Sequence, residues 1–167
     1  MAIAMNADIR DATPADFPAI LALNLESEAL LSPLDHARLA RLHAQAAYHR
    51  VACENGAVVA FLLVFAEGAD YDSPNYRWHA ARLARFFYVD RIAVATSHQG
   101  RKLGARLYED LFAFARARSV VTIACEFYVE PLNAASQRFH AGFGFREVGT
   151  QWVAEGTKKV SLQVATA

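Results

Sequence analysis

The stretch FFYVDRIAVATSHQGRKLGARLYEDLFAFARAR, residues 86–118, decides the fold. Its first third, Phe86 to Val94, is rich in aromatic and β-branched residues and too short for a typical helix, so it reads as a strand. Its last part sets Leu103, Leu107, Leu111 and Phe114 on one side at helical spacing, with Arg106, Glu109, Asp110 and Arg116 on the other. Arg116 and Arg118 fall in the last turn, where cations suit the negative end of the helix dipole. Between strand and helix lies Thr96-Ser97-His98-Gln99-Gly100-Arg101-Lys102-Leu103-Gly104. Such a turn suits an anion, because the first N–H groups of a helix have no partner inside it and carry partial positive charge. Gly100 and Gly104 remove side chains that would hold a phosphate off the backbone, and Arg101 and Lys102 add mobile cations beside it. An ordinary strand-to-helix connection with two turn glycines is the competing reading of the same residues.

Two segments carry a family resemblance. Asp90-Arg91-Ile92-Ala93-Val94, followed by Gln99-Gly100-Arg101-Lys102-Leu103-Gly104-Ala105, resembles the acyl-CoA-binding segment of the GNAT N-acetyltransferase superfamily. That family's signature is Arg/Gln-x-x-Gly-x-Gly/Ala; Gln99 and Gly104 match, and Lys102 replaces the middle glycine. Farther along, Asn133, Ser136, Phe139, Gly144 and Phe145 resemble the family's Asn-x-x-Ser/Ala-x-x-Phe-Tyr-x-x-x-Gly-Phe, with His140 where the tyrosine usually stands. Two degenerate motifs in the right order are far more specific than either alone.

The resemblance implies a grip on the pyrophosphate of acetyl-CoA by the N–H groups from Gln99 to Ala105. It implies pairing of pantetheine amides with the backbone of Ile92, Ala93 and Val94, and contact of the CoA arm with Asn133 and Ser136. Asn133 also fits a helix N-cap, and Ser136 fits a solvated helix position. Residues 35–46 and the helix before them lie near the acceptor in this family.

Acyl transfer from a thioester to an amine needs a base for the amine, a donor for the oxyanion and, at need, an acid for the thiolate. Glu126, inside the apolar run Val120 to Tyr128, is the base candidate. A carboxylate there is costly to bury unless it is paired or lines a cavity, and desolvation would raise its pKa from about 4.3. An ion pair with Arg91 or Arg138 is the structural alternative, and Asp90 is the second candidate. His140 stands one turn beyond Ser136 and is the candidate acid for the departing thiolate, or else a half-buried packing residue.

The rest of the chain bounds the reading. Its 167 residues suit one domain, 54% of them are hydrophobic, and basic and acidic residues balance at 17 each. This argues against nucleic acid or an anionic membrane as main partner. Cys53 and Cys125 both sit in apolar runs and read as buried thiols of a reducing compartment. There is no Cys-x-x-Cys, His-Glu-x-x-His, Gly-x-Ser-x-Gly or Walker pattern, hence no metal, hydrolase or NTPase signature. Residues 1–7 read as a flexible tail without signal-peptide character, and no run is long enough to span a membrane, so a cytoplasmic protein is expected.

In order, the sequence predicts a strand at 8–12, a helix capped at Thr13-Pro14, a helix at 35–46, and a hairpin of 48–53 with 57–65 across Glu54-Asn55-Gly56. Residues 66–85 interrupt the strand pattern; Tyr71, Tyr76 and Trp78 either wall an acceptor pocket or pack under a loop. A strand at 120–128, a short helix at 134–141 and strands at 145–153 and 158–164 complete the chain. The expected fold is α/β: a single GNAT-like domain with a mixed, mostly antiparallel central sheet flanked by helices. The expected function is acetyl transfer from acetyl-CoA to a primary amine of a small molecule or peptide, compatible with a homodimer. The alternative is a catalytically silent acyl-CoA-binding or interaction module on the same fold.

Overall fold

A computed structural model describes residues 6–167; the expected tail at 1–7 lies mostly outside the described residues. Ala7, the last residue of that tail, is buried, and its carbonyl accepts from Arg106 Nη2 at 2.6 Å. The elements are β1 (Asp8–Asp11), α1 (Phe17–Glu26), α2 (His36–Gln45), β2 (Tyr48–Glu54), β3 (Ala57–Ala66), α3 (Pro74–Ala80) and β4 (Phe87–Val94). There follow α4 (Leu103–Ala117), β5 (Thr122–Glu130), α5 (Ala134–Gly142), β6 (Arg146–Val153) and β7 (Lys158–Thr166). The strands form one seven-stranded sheet in the order β1-β2-β3-β4-β5-β7-β6. β1–β2, β2–β3, β5–β7 and β6–β7 are antiparallel, and β4 runs parallel to β5 with Phe87 opposite Ile123 and Tyr88 opposite Ala124. The mixed, mostly antiparallel α/β sheet expected from the sequence is what the chain forms.

Local chemistry explains the boundaries. Thr13 caps a 3-10 turn with Pro14 at its first position, and Asp16 returns a bond to the Thr13 N–H at 2.8 Å. Asp35 caps α2 through the Arg38 N–H at 2.7 Å, and Ser73 caps α3 through the Tyr76 N–H at 3.3 Å. The Asn55-Gly56 turn joins β2 to β3 with both residues at positive φ, as a two-residue hairpin requires.

The chain divides into two compact units, each made of two segments: Met1–Phe65 with Asp90–Leu111, and Ala66–Val89 with Phe112–Ala167. In the first, Ile20, Leu39, Leu42, Phe61 and Leu63 are fully or almost fully buried. In the second, Phe86, Tyr88, Ile123, Ala124 and Leu162 are. Fully burying one such large apolar side chain contributes about 1.5–3 kcal/mol, so either core alone is a large stabilising term.

α3 is the inserted element. The sequence left Tyr71, Tyr76 and Trp78 between two roles, and the structure separates them. Tyr71 and Tyr76 are buried against each other, and Tyr76 donates its hydroxyl to the Ala66 carbonyl at 2.7 Å. Those two pack, and Trp78 lines a cavity. The cysteines also part company: Cys125 is buried, with its thiol pushed well up by desolvation, whereas Cys53 is only half-buried. Neither forms a disulfide.

Candidate active site

In the first unit, the strand-to-helix connection holds the predicted phosphate turn. Residues 96–98 form a 3-10 turn, Gln99 is extended, and α4 starts at Leu103. The Arg106 N–H donates to the Lys102 carbonyl at 3.0 Å, so the N–H groups of Leu103, Gly104 and Ala105 precede the first intrahelical bond. Gln99, Gly100, Arg101 and Lys102 are exposed, while Leu103 is buried and anchors the helix start. Donors and dipole at this turn fit a diphosphate.

Two features of the turn differ from the reading of the sequence. Gly100 takes a φ of 77°, which suits a glycine, but Lys102 also enters the left-handed region with a φ of 61°. Lys102 thus adopts the conformation that the family's middle glycine would take without strain. Arg101 is not a mobile cation. Its Nη1 and Nη2 donate to the two carboxylate oxygens of Glu54, at 2.9 and 2.6 Å. His98 Nε2 joins the same carboxylate at 2.7 Å, and Arg101 first, then His98, hold the Glu54 carboxyl below its usual pKa. Lys102 is therefore the cation of this turn without such a tether.

On β4 itself, Ala93 is buried and Ile92 and Val94 are half-buried, with the strand ending where the Ala95 N–H meets the Val59 carbonyl at 2.8 Å. Asp90 and Arg91 form a buried pair at 3.1 Å. Arg91 also donates to Asn24 Oδ1 at 3.0 Å and to the Ser32 carbonyl at 2.7 Å, tying β4 to the segment after α1. A carboxylate so closely paired is a poor base, so Asp90 falls behind Glu126.

In the second unit, Glu126 is half-buried in β5, flanked by buried Cys125 and Phe127. Both of its oxygens lie 2.8 Å from the hydroxyl of Tyr88, which donates to them. Sequence reasoning missed Tyr88 because it stands 38 residues away and reads as one more strand aromatic. Of the two arginines the sequence offered as ion-pair partners, Arg91 is bonded as above and Arg138 is exposed.

Asn133 caps α5, accepting the Ser136 N–H at 3.1 Å. His140 is buried, stacked on Phe127 and edge-on to Phe145. Its Nδ1 lies 2.7 Å from the Ser136 carbonyl and 3.1 Å from Ser136 Oγ. A carbonyl only accepts, so the proton is on Nδ1. Burial holds the His140 pKa below its ordinary value, leaving a neutral ring whose Nε2 has no proton to give. That arrangement argues against the expected acid role. Among the described residues, no group of three or more His, Cys, Asp or Glu side chains could hold a metal ion.

The acetyltransferase (GNAT) family model matches residues 8–145, most of the chain and both sets of candidate residues. The chain belongs to the GNAT acetyltransferase family. Solved GNAT structures share the fold at low identity. Ard1 from Thermoplasma volcanium has a TM-score of 0.77 at 14% identity, covering 97% of this chain and 98% of that one. The ribosomal-protein-S18-alanine N-acetyltransferase of Escherichia coli has a TM-score of 0.73 at 18% identity, covering 96% and 93%. The putative acetyltransferase yncA of Salmonella typhimurium, solved with acetyl-CoA, has a TM-score of 0.70 at 22% identity, covering 96% and 94%. No curated protein matches the sequence. No helix among the described residues is long and apolar enough to cross a membrane.

Proposed function

We propose that this GNAT protein is an acetyl-CoA-dependent N-acetyltransferase acting on a primary amine by direct attack in a ternary complex. The observation that carries this is Glu126: a carboxylate in an otherwise apolar strand, fixed by a phenol at 2.8 Å to both oxygens. Packing needs no carboxylate there, and a module that only bound acyl-CoA would need none either. The bond from Tyr88 sets the direction of the carboxylate, as a base must have before its substrate arrives.

The turn before α4 and the end of β4 grip acetyl-CoA. N–H groups of Gln99 to Ala105, with Lys102 above them, take the pyrophosphate. The backbone of Ile92, Ala93 and Val94 pairs with the pantetheine amides, which is strand addition applied to a cofactor. Glu126 accepts a proton from the acceptor amine, the amine nitrogen bonds to the acetyl carbon, and the carbon–sulfur bond breaks to release the thiolate.

A thiol with a pKa of about 8.5 leaves without much help, so the neutral His140 is assigned a different task. Through Nδ1 it holds Ser136, and with it the first turn of α5, where Asn133 and Ser136 take the CoA arm. The two unpaired cysteines suit a reducing cytoplasm. Acetyl-CoA-dependent thiol release, screened over amines, amino acids and peptides, tests the reading. Release with at least one amine class is expected. CoA binding without release for any of them would leave a silent binding module.

A further inference from the structure

α3 is seated on one face of the sheet by unlike side chains. Tyr76 packs edge-on to Tyr88, the residue that holds Glu126. Trp78 lies on the backbone of β6: a Cβ added to Gly149 would come within 2.5 Å of its ring, so only glycine admits this contact. His79 is fully buried, with Nε2 3.2 Å from the Cys125 carbonyl. That carbonyl accepts, so the proton is on Nε2 and Nδ1 is a bare acceptor, buried and without a partner. Burial lowers the His79 pKa, and the ring is neutral.

These residues border a cavity of about 210 Å³ lined by Trp78, His79, Arg82, Leu83, Val148 and Val164. Its lining combines the aliphatic Leu83, Val148 and Val164 with the Trp78 and His79 rings and the Arg82 guanidinium. Arg82 stands 3.7 Å over the Trp78 ring and donates Nη1 to the Trp78 carbonyl at 2.8 Å. Among the described residues, its remaining guanidinium N–H groups meet no protein acceptor. A guanidinium with free donors beside aliphatic and aromatic side chains recognises a carboxylate attached to an apolar body.

The cavity is also placed for catalysis. Val164 pairs with Ala124 and Leu162 with Glu126, adjacent pairs whose side chains share one sheet face. The Val164 wall is therefore one pair, about 7 Å, along the face from Glu126. Tyr88 spans the interval: its ring lies 6.0 Å from that of His79, and its hydroxyl is on Glu126.

We propose that this cavity recognises the acyl acceptor, and that the acceptor is an α-amino acid with an apolar or aromatic side chain and a free carboxylate. The side chain enters between Trp78 and Val148, the carboxylate meets Arg82, and the amine is turned toward Glu126. This rests on the reading of Glu126 as base and names the substrate class of that same site. No chemistry is added: the amine nitrogen bonds to the acetyl carbon, the carbon–sulfur bond breaks to release the thiolate, and the amine proton passes to Glu126.

The test is binding, read apart from turnover, by calorimetry on CoA-saturated protein. The probes are L-phenylalanine, L-phenylalaninamide and phenethylamine. L-Phenylalanine is expected to bind at least tenfold more tightly than the other two. Arg82→Ala, at an exposed position, should weaken L-phenylalanine at least tenfold and leave phenethylamine unchanged. Val148→Trp, which fills the cavity from a partly exposed strand position, should weaken all three while CoA binding persists. Equal affinity for the three probes, or an Arg82→Ala variant that binds L-phenylalanine like wild type, overturns the proposal. Binding of L-phenylalanine that fits these expectations in a protein without turnover upholds the cavity and removes the role of Glu126. Acetylation of other amines with no binding of L-phenylalanine removes the cavity and leaves the enzyme.

Discussion

Replacing Lys102 by glycine should make the protein more stable while weakening its hold on CoA. Lys102 has a φ of 61°, a conformation that costs an L-residue with a Cβ roughly 1–2 kcal/mol. Glycine removes that strain but adds backbone entropy to the unfolded chain, worth about 0.5–1 kcal/mol in the other direction. The difference leaves a net gain of about 0.5–1 kcal/mol. For a chain of this size that is a rise in Tm of about 1–4 °C. The lysine charge is exposed and Arg101 is bound to Glu54, so one cation is lost at the turn. A surface charge contact contributes about 0–1 kcal/mol, so CoA affinity should fall by up to about fivefold at low salt and less at high salt. Lys102→Ala separates the two effects, because it loses the charge and keeps the Cβ. It should match Lys102→Gly in CoA affinity and lack its gain in Tm. Scanning calorimetry and CoA titration on the same three proteins measure both. A Lys102→Gly variant no more stable than Lys102→Ala would refute the left-handed turn on which the argument stands.

Four further outcomes are expected. Gly104→Val, in the first turn of α4, should lower CoA affinity at least tenfold, about 1.4 kcal/mol, with the fold intact by circular dichroism. His140→Phe should keep most of kcat across pH 6–9, because the ring is neutral and buried; a loss beyond tenfold with chemistry rate-limiting would restore the acid role. Stability should fall as pH drops below 6.5. Burial holds His49, His79 and His140 below their ordinary pKa, so the unfolded chain takes up more protons there. For His49, at about 4, the loss between pH 6.5 and 4 is on the order of 3 kcal/mol, and His49→Phe should flatten that part of the curve in urea titrations.

The order of elements was legible because each carries a local signature. Thr13 and Pro14 fix the first helical turn, and Asn55-Gly56 fixes the hairpin. The turn before α4 was legible for the same reason: its free N–H groups belong to consecutive residues of one helix start. What escaped depends on partners far apart in sequence. Glu54 takes Arg101 from 47 residues away, and Tyr88 reaches Glu126 across 38. Motif comparison set His140 in a tyrosine's place, but its protonation is decided by Phe127, Phe145 and the Ser136 carbonyl around it. Nor does hydropathy show that Trp78 needs a glycine at 149 to dock.

Mass spectrometry of the amine after incubation with acetyl-CoA tests the central claim most directly, run in parallel on wild type and Glu126→Gln. The account predicts an N-acetyl amide equimolar with the CoA released by wild type. It predicts a loss of roughly 10²- to 10⁴-fold in rate for Glu126→Gln near pH 7, with CoA affinity unchanged and the deficit shrinking at high pH, where the free amine needs no base. Equal rates of amide formation by the two proteins, or CoA binding with no amide from any amine, would contradict it.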